Sequence, residues 1–326
     1  MSLSRRTFLG TSALGSLSAH AALAAEIDKK SGMPTRVLGR TKARVSAIGL
    51  GCGSRLLSYN DLDKAVEAIN KALDNGITYL DTAYSYGNGK SETFVGAAIK
   101  GRRKGLWITT KIQERSAEKA KPIIEGSLKR LGVDQVDLLH IHSLLTAEDL
   151  AAIEAKGGIL ELLYKLRDQK VARFIGVTSH TDPETLKTAL ERHDFDCTQM
   201  ALNGAHAGMM NGQGGMVINP KLATSFETLA MPVALKKKMG VTAMKVFAQE
   251  KLVGGAPIDT LMRYALTLPV ASAILGMPKL EHIDENSRIA KAFKPLGKPE
   301  MKDLSDKLVP RYKAQLDQFF RDHVDA

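Results

Sequence analysis

The sequence predicts an α/β fold: a (β/α)8 TIM barrel with an N-terminal β-hairpin and an extra C-terminal helix. Three observations carry that expectation. From about residue 47, short apolar runs alternate eight times with amphipathic helical patterns, over roughly 250 residues, the usual size of such a barrel. The runs are apolar throughout, as strands are when a parallel sheet is covered on both faces. No G-x-G-x-x-G opens a helix after a strand, which removes the main doubly wound alternative.

Taken in order, residues 33–46 read as a hairpin that turns at Gly39-Arg40-Thr41-Lys42 and caps one end of the barrel. Strands are expected at 47–50, 77–81, 106–111, 136–142, 173–178, 198–202, 241–246 and 271–275. Leu62, Ala65, Val66, Ile69, Ala72 and Leu73 fall on one helical face, starting near Asn60 or Asp61 and ending at a left-handed cap at Asn75-Gly76. Ser91 reads as the N-cap of a helix to residue 99, and Ser116 as the cap of one ending at Gly132. Thr146 and Asp149 have capping-box spacing, Gly157-Gly158 interrupts the helix that follows, and Asp182-Pro183 gives an N-cap with proline at N1. A closing helix near 280–293 and a charged amphipathic tail at 299–324 complete the pattern. Residues 203–226, rich in Gly, Met and Asn, break the rhythm after the sixth strand and read as a substrate or cofactor lid or a connector, with Met209, Met210 and Met216 as an adaptable apolar surface.

The first residues include Ser-Arg-Arg-Thr-Phe-Leu-Gly at 4–10, then a weakly apolar stretch and the small-residue triplets Ala19-His20-Ala21 and Ala22-Leu23-Ala24. This resembles a twin-arginine (Tat) signal, so residues 1–25 are expected to direct Tat export, leaving a soluble periplasmic chain of 26–326. No 20-residue apolar run follows, so no membrane span is expected in the mature chain. The formal charge of +11 is spread over helix faces without interleaved aromatics, and nucleic acid is not an expected partner. Cys52 and Cys197 form no paired motif, which excludes a disulfide framework and a thiolate metal site.

The predicted strand ends hold the chemistry. Asp81, Lys111 and His142 close the second, third and fourth strands at intervals of one strand–helix unit, so a barrel sets them side by side on its C-terminal rim. Tyr86 arrives from the loop after the second strand and is preferred to Tyr84 by its five-residue offset from Asp81. A phenol is a poor acid near neutrality, and an ammonium beside it favours the phenolate. Asp81 can hold that lysine, and His142 can donate to a carbonyl oxygen, an arrangement suited to protonating an alkoxide as it forms. His140 shares a strand face with His142; zinc needs three or four convergent ligands, so no metal is expected and His140 reads as an inner-layer residue.

These residues resemble the aldo/keto reductase family over 34–293. The matching motifs are Asp81-Thr82-Ala83 with Tyr86-Gly87, Thr110-Lys111, Val136-Asp137-Leu138 with His142, Phe174-Ile175-Gly176-Val177, Gln199, and Glu285-Asn286. The resemblance implies an NADP(H)-dependent reductase of aldehydes or ketones, with NAD(H) the alternative cofactor, in which Tyr86 is the acid–base and Asp81, Lys111 and His142 are its partners. It implies a single barrel domain over 26–326, with a helical tail from 294. It further implies Gly51, Cys52 and Gly53 at the nicotinamide, Thr178, Ser179 and Gln199 on its carboxamide, and Met244, Lys245 and Val246 beside the ring and pyrophosphate. Gly276, Met277, Lys279 and His282 are implied for the adenosine phosphate, and Asp81, Glu285 and Asn286 join the cofactor contacts, the last two at adenine. Ser143 stands where the family often has an aromatic, which implies a more polar substrate pocket. A cofactor loaded before export, and a non-catalytic NADP(H)-binding regulatory subunit on the same barrel, are the further expectations.

Overall fold

The computed structural model describes residues 25–206 and 225–321. The expected signal peptide, save Ala25, and Met209, Met210 and Met216 of the expected lid lie outside the described residues.

Eight parallel strands close into a barrel in chain order: β4 (Ile48–Gly51), β5 (Tyr79–Asp81), β6 (Trp107–Ile112), β7 (Val136–Ile141), β8 (Ala172–Ser179), β9 (Cys197–Ala201), β10 (Gly240–Met244) and β11 (Ser272–Gly276), with β11 pairing back to β4. Their side chains are almost all buried because helices cover the outer face and neighbouring strands the inner one. Each expected strand is present, with ends moved by one or two residues.

The helices follow their local signals. Asp61 accepts from Lys64 N and starts α2 (Leu62–Asp74), which the short α1 (Ser54–Leu57) precedes; Gly76 leaves α2 with φ of 92°. Helix α3 spans Lys90–Ile99, α4 Ala117–Leu131, α5 Ala147–Glu154 and α6 Ile159–Asp168, with the Gly157-Gly158 break between the last two. Thr146 caps α5 through Asp149 N, and Asp182 caps α7 (Pro183–Arg192) through Glu184 N and Thr185 N. The remaining helices are α8 (Ala230–Lys236), α9 (Ile258–Thr267), α10 (Leu280–Lys291) and α11 (Lys298–Arg321).

One cap expectation is corrected. The N-cap of α3 is Gly89, with φ of 89°, and Ser91 lies inside the first turn. Its buried hydroxyl donates to Cys52 O and pairs with Thr82 Oγ1, which ties the helix start to two strand ends. A left-handed position in front of the helix suits glycine better than serine, so the cap moved two residues.

The floor of the barrel is plugged. Strands β2 (Pro34–Val37) and β3 (Arg44–Ser46) form the expected hairpin, and β1 (Glu26–Ile27) adds a third strand that sequence reading missed. Leu38 and Val45 pack with Tyr79, Trp107, Leu138 and Cys197 in a separate apolar cluster at that end. Arg40 N donates to Lys238 O at 2.6 Å, and a Cβ on Gly39 would stand 2.3 Å from Met239 C, so the turn sits hard against the start of β10.

Candidate active site

The carboxyl ends of β5 and β6 build the centre. Asp81 ends β5, and Lys111 sits one residue from the end of β6 with its side chain inside the barrel, 1% exposed. Lys111 Nζ donates to Asp81 Oδ2 at 2.8 Å, to Thr82 O at 2.9 Å and to Tyr86 Oη at 3.2 Å. Three acceptors around one buried ammonium meet its three donors and offset the desolvation of a charge that water cannot reach.

Tyr86 is held in a turn whose backbone is fixed by Tyr86 N to Ala83 O and Gly89 N to Tyr84 O. His142 follows β7 and is 1% exposed; its ring meets that of Tyr86 edge-on, with centroids 5.5 Å apart and planes at 80°. Ser85 Oγ lies 3.2 Å from His142 Nδ1. The four residues expected to meet therefore do so.

A second tier of residues, which sequence reading missed, holds these in place. Glu92 is fully buried, accepts from Thr110 Oγ1 at 2.5 Å and from Arg130 Nε at 2.8 Å, and so anchors the residue next to Lys111. Arg115 grips Asp149 through two nitrogens, at 2.7 and 2.8 Å, and donates to His142 O and Ser143 O. Ser143 has φ of 52°, a strained turn that Arg115 pins. Both pairs are long-range and carry no local sequence signature.

Beside this centre a cleft runs over the ends of β4, β10 and β11. Gly51, Gly53, Asp81, Tyr86, Gln199, Met244, Lys245, Val246 and Gly276 line it, with Gly51 and Gly276 neighbours in register across β4 and β11. Ser54, Arg55, Phe247, Gln249, Glu250, Ile274 and Leu275 also line it and were missed; the available signal was adjacency to Gly53, Val246 and Gly276. Arg55 and Glu250 reach toward each other across the cleft, Nε to Oε1 at 3.4 Å. Gln199 Nε2 is buried with no hydrogen-bond partner, a donor that a bound carbonyl would satisfy. A Cβ on Gly51 would come 3.3 Å from Leu275 backbone and one on Gly276 2.6 Å from Arg55 Cγ, so both glycines keep the cleft walls bare. The bare glycines and the unpaired Gln199 amide leave room, and a donor, for a cofactor that carries a carbonyl group.

Not every expected contact faces the cleft. Cys52 is fully buried, its backbone N bonded to Asp81 O, and burial pushes its thiol far up, to a neutral group. Thr178 Oγ1 accepts from Ser143 N and Ser179 Oγ donates to Leu144 O, so both hydroxyls brace the turn after His142 while Gln199 alone of that trio lines the cleft. Met277 is buried and gives its carbonyl to Tyr59. Lys279, His282, Glu285 and Asn286 occupy the N-cap and first turns of α10, beyond the Gly276 end; Lys279 and Glu285 are exposed and Asn286 is buried. His140 is fully buried, and a Cβ on Gly176 would lie 2.5 Å from its Nδ1, so that glycine makes room for an inner-layer imidazole that burial keeps neutral. Among the described residues no three His, Cys, Asp or Glu side chains converge as metal ligands, and no helix is long and apolar enough to cross a membrane.

A closed (β/α)8 barrel holds a buried lysine, carboxylate, phenol and imidazole together beside an open cleft at its carboxyl rim, the architecture of a barrel oxidoreductase. Comparison with known proteins agrees. The model of the Aldo/keto reductase family matches residues 47–208. An aldo-keto reductase of Mycobacterium leprae (strain TN) is 30% identical over 240 residues, 73% of this chain and 79% of that protein. An oxidoreductase of Bacillus subtilis (strain 168) is 27% identical over 316 residues, 83% of this chain and 95% of its own length. Among solved structures, an aldo-keto reductase from Klebsiella pneumoniae in complex with NADPH superposes with a TM-score of 0.61 at 23% identity, over 85% of this chain and 96% of that one. The chain belongs to the aldo/keto reductase family, oxidoreductases that act on carbonyl groups.

Proposed function

We propose that the protein catalyses hydride transfer between NADP(H) and the carbonyl carbon of an aldehyde or ketone, with Tyr86 as the general acid–base. The observation that carries this reading is the fully enclosed Lys111 ammonium, 2.8 Å from Asp81 Oδ2 and 3.2 Å from Tyr86 Oη. When bound, the dinucleotide supplies or accepts the hydride. Tyr86 Oη gives its proton to the substrate oxygen as negative charge develops there. Lys111 stabilises the phenolate that remains, because the opposite charge stands beside it with water excluded. Asp81 keeps that lysine charged and fixed, and His142 donates a second hydrogen bond to the substrate oxygen and orients it. In the oxidising direction the same groups take the proton back.

Support for NADP(H) comes from the cleft and from the Klebsiella neighbour, a complex with NADPH. Gln199 would take the carboxamide, Met244 and Val246 the ring face, and Gly51, Gly53 and Gly276 the close approach of the chain. The buried cluster is complete, which favours turnover over a purely regulatory dinucleotide-binding role.

The test is Tyr86→Phe. Dinucleotide binding, read by fluorescence quenching, is expected to persist, while NADPH oxidation with a panel of aldehydes falls by about 10²–10⁴, the range for a lost general acid. Turnover that survives this change would sink the assignment.

We also propose export on the strength of the twin-arginine pattern at 4–10. Replacing Arg5→Lys and Arg6→Lys together is expected to move the protein from the periplasmic to the cytoplasmic fraction on immunoblots; an unchanged distribution would remove the export reading.

A further inference from the structure

We infer that Ser85 is a positioning residue for His142: its hydroxyl donates to Nδ1 and thereby keeps the ring proton on Nε2. The inference rests on the reading above, in which His142 donates to the substrate's carbonyl oxygen.

The geometry begins with Ser85 Oγ, 3.2 Å from His142 Nδ1. The ring has little freedom to turn away. His142 N bonds to Ile112 O at 2.9 Å, and His142 O accepts from Arg115 Nη2 at 2.9 Å. The imidazole is 1% exposed and lies edge-on to Tyr86. Ser85 is equally placed, since Tyr84 N bonds to Lys111 O at 3.3 Å and Tyr86 N to Ala83 O at 3.2 Å. One turn therefore presents the acid and the serine on consecutive residues.

Chemistry selects the direction of the bond. A neutral imidazole carries one N–H, and the nitrogen opposite it is an acceptor. A carbonyl oxygen only accepts, so His142 can serve it only through a protonated nitrogen. With Nδ1 turned to Ser85, that nitrogen is Nε2. The other tautomer would put a bare lone pair against the substrate oxygen. A serine hydroxyl rotates to donate or accept, and donation is the state that leaves the ring proton on Nε2 for the substrate oxygen. The partner of one ring nitrogen sets the protonation of the other.

The test uses the full chain labelled with ¹⁵N-histidine. Long-range ¹H–¹⁵N correlation spectra are recorded at about pH 8, above the ordinary imidazole range, with the His142 signals assigned by their loss in His142→Gln. In the parent, Nε2 is expected to carry the proton. Ser85→Ala is expected to raise the Nδ1-protonated population and to lower kcat/KM about tenfold, the size of one neutral hydrogen bond. Ser85→Thr keeps the hydroxyl and is expected to restore both. A parent ring protonated on Nδ1, or a tautomer unmoved in Ser85→Ala, would overturn the inference. A tautomer that shifts with no change in kcat/KM would overturn the positioning role. Failure of the underlying reading is separate: it shows as full turnover in His142→Gln, whatever the tautomer of the parent.

Discussion

The two walls of the cleft are built differently. On the side of β4 to β7, three elements at the centre are buried and multiply bonded: Lys111 by three acceptors, Glu92 by Thr110 and Arg130, and the His142–Ser143 turn by Arg115. On the side that follows β10, the chain from Lys245 to Glu250 includes Lys245, Ala248, Gln249 and Glu250 at positive φ, the last three consecutive and none of them glycine. Left-handed backbone costs such residues roughly 1–2 kcal/mol each. The ion pair reaching over to the opposite wall, Arg55 to Glu250, has side chains 35% and 52% exposed, where water screens it. The difference teaches where precision is needed. Proton transfer is lost if a bond lengthens by an ångström, whereas a wall that a large cofactor must pass is better held by weak contacts.

The first way to break this contrast is to remove the rigid wall's central charge. Lys111→Met leaves the Asp81 carboxylate buried beside an apolar chain. Removing one member of a buried pair costs about 3–5 kcal/mol, so urea unfolding should show a midpoint far below the parent, with turnover down at least as far as in Tyr86→Phe. A stable, active Lys111→Met would refute the rigid-wall account.

A smaller effect tests the outer part of the softer side. There Tyr264 Oη donates to Glu227 Oε1 at 2.9 Å and lies 3.1 Å from His206 Nε2, with Ser305 nearby on α11. Burial pushes the Glu227 carboxyl up to about 7 and the His206 imidazole down to about 4, with Lys313 adding to the latter. The two act in opposite directions. Glu227 binds its proton more tightly folded than unfolded, so its contribution is full below about 4.5 and is lost as pH rises to about 7. His206 binds its proton less tightly folded, so its contribution grows as pH rises from about 4 to about 6.5. Glu227→Gln should therefore unmask a rise of the order of 2–3 kcal/mol across that interval in urea titrations, where the parent stays nearly flat. A variant as flat as the parent would mean the two groups are not coupled to folding.

The smallest effect belongs to the cross-cleft pair. Arg55→Ala should change stability by less than about 1 kcal/mol, as exposed pairs do, but speed dinucleotide release severalfold in stopped-flow fluorescence. An unchanged release rate would show that Arg55 and Glu250 do not restrain the cofactor.

Much of the fold was legible because its signals are local. The apolar runs, the capping side chains of Asp61, Thr146 and Asp182, and the regular interval from Asp81 to Lys111 to His142 each lie within one strand–helix unit. The reading failed where placement depends on distant partners. Nothing near Thr178 or Ser179 announces that their hydroxyls brace the Ser143–Leu144 turn, 35 residues earlier in the chain. Ser91 carried a capping signal, but Gly89 occupies the left-handed position ahead of it. Arg55 carries no local signal, and only closure of the barrel brings it to Glu250. The residues of α10 lie beyond the Gly276 end of the cleft, at the N-cap and first turns of the helix.

The plugged floor bears on how the chain is made. Barrel closure joins β4 to β11, and the hairpin turn leans on Lys238 and Met239, about two hundred residues downstream of it. As the chain leaves the ribosome, the hairpin has no seat until Met239 has emerged, and the early strands have no seam to close against until Gly276 has. Long-range pairings of this kind form late and slowly. A nascent chain halted before β11 thus exposes sticky sheet edges at both margins, and the interval before that last strand arrives is when this protein most needs a chaperone.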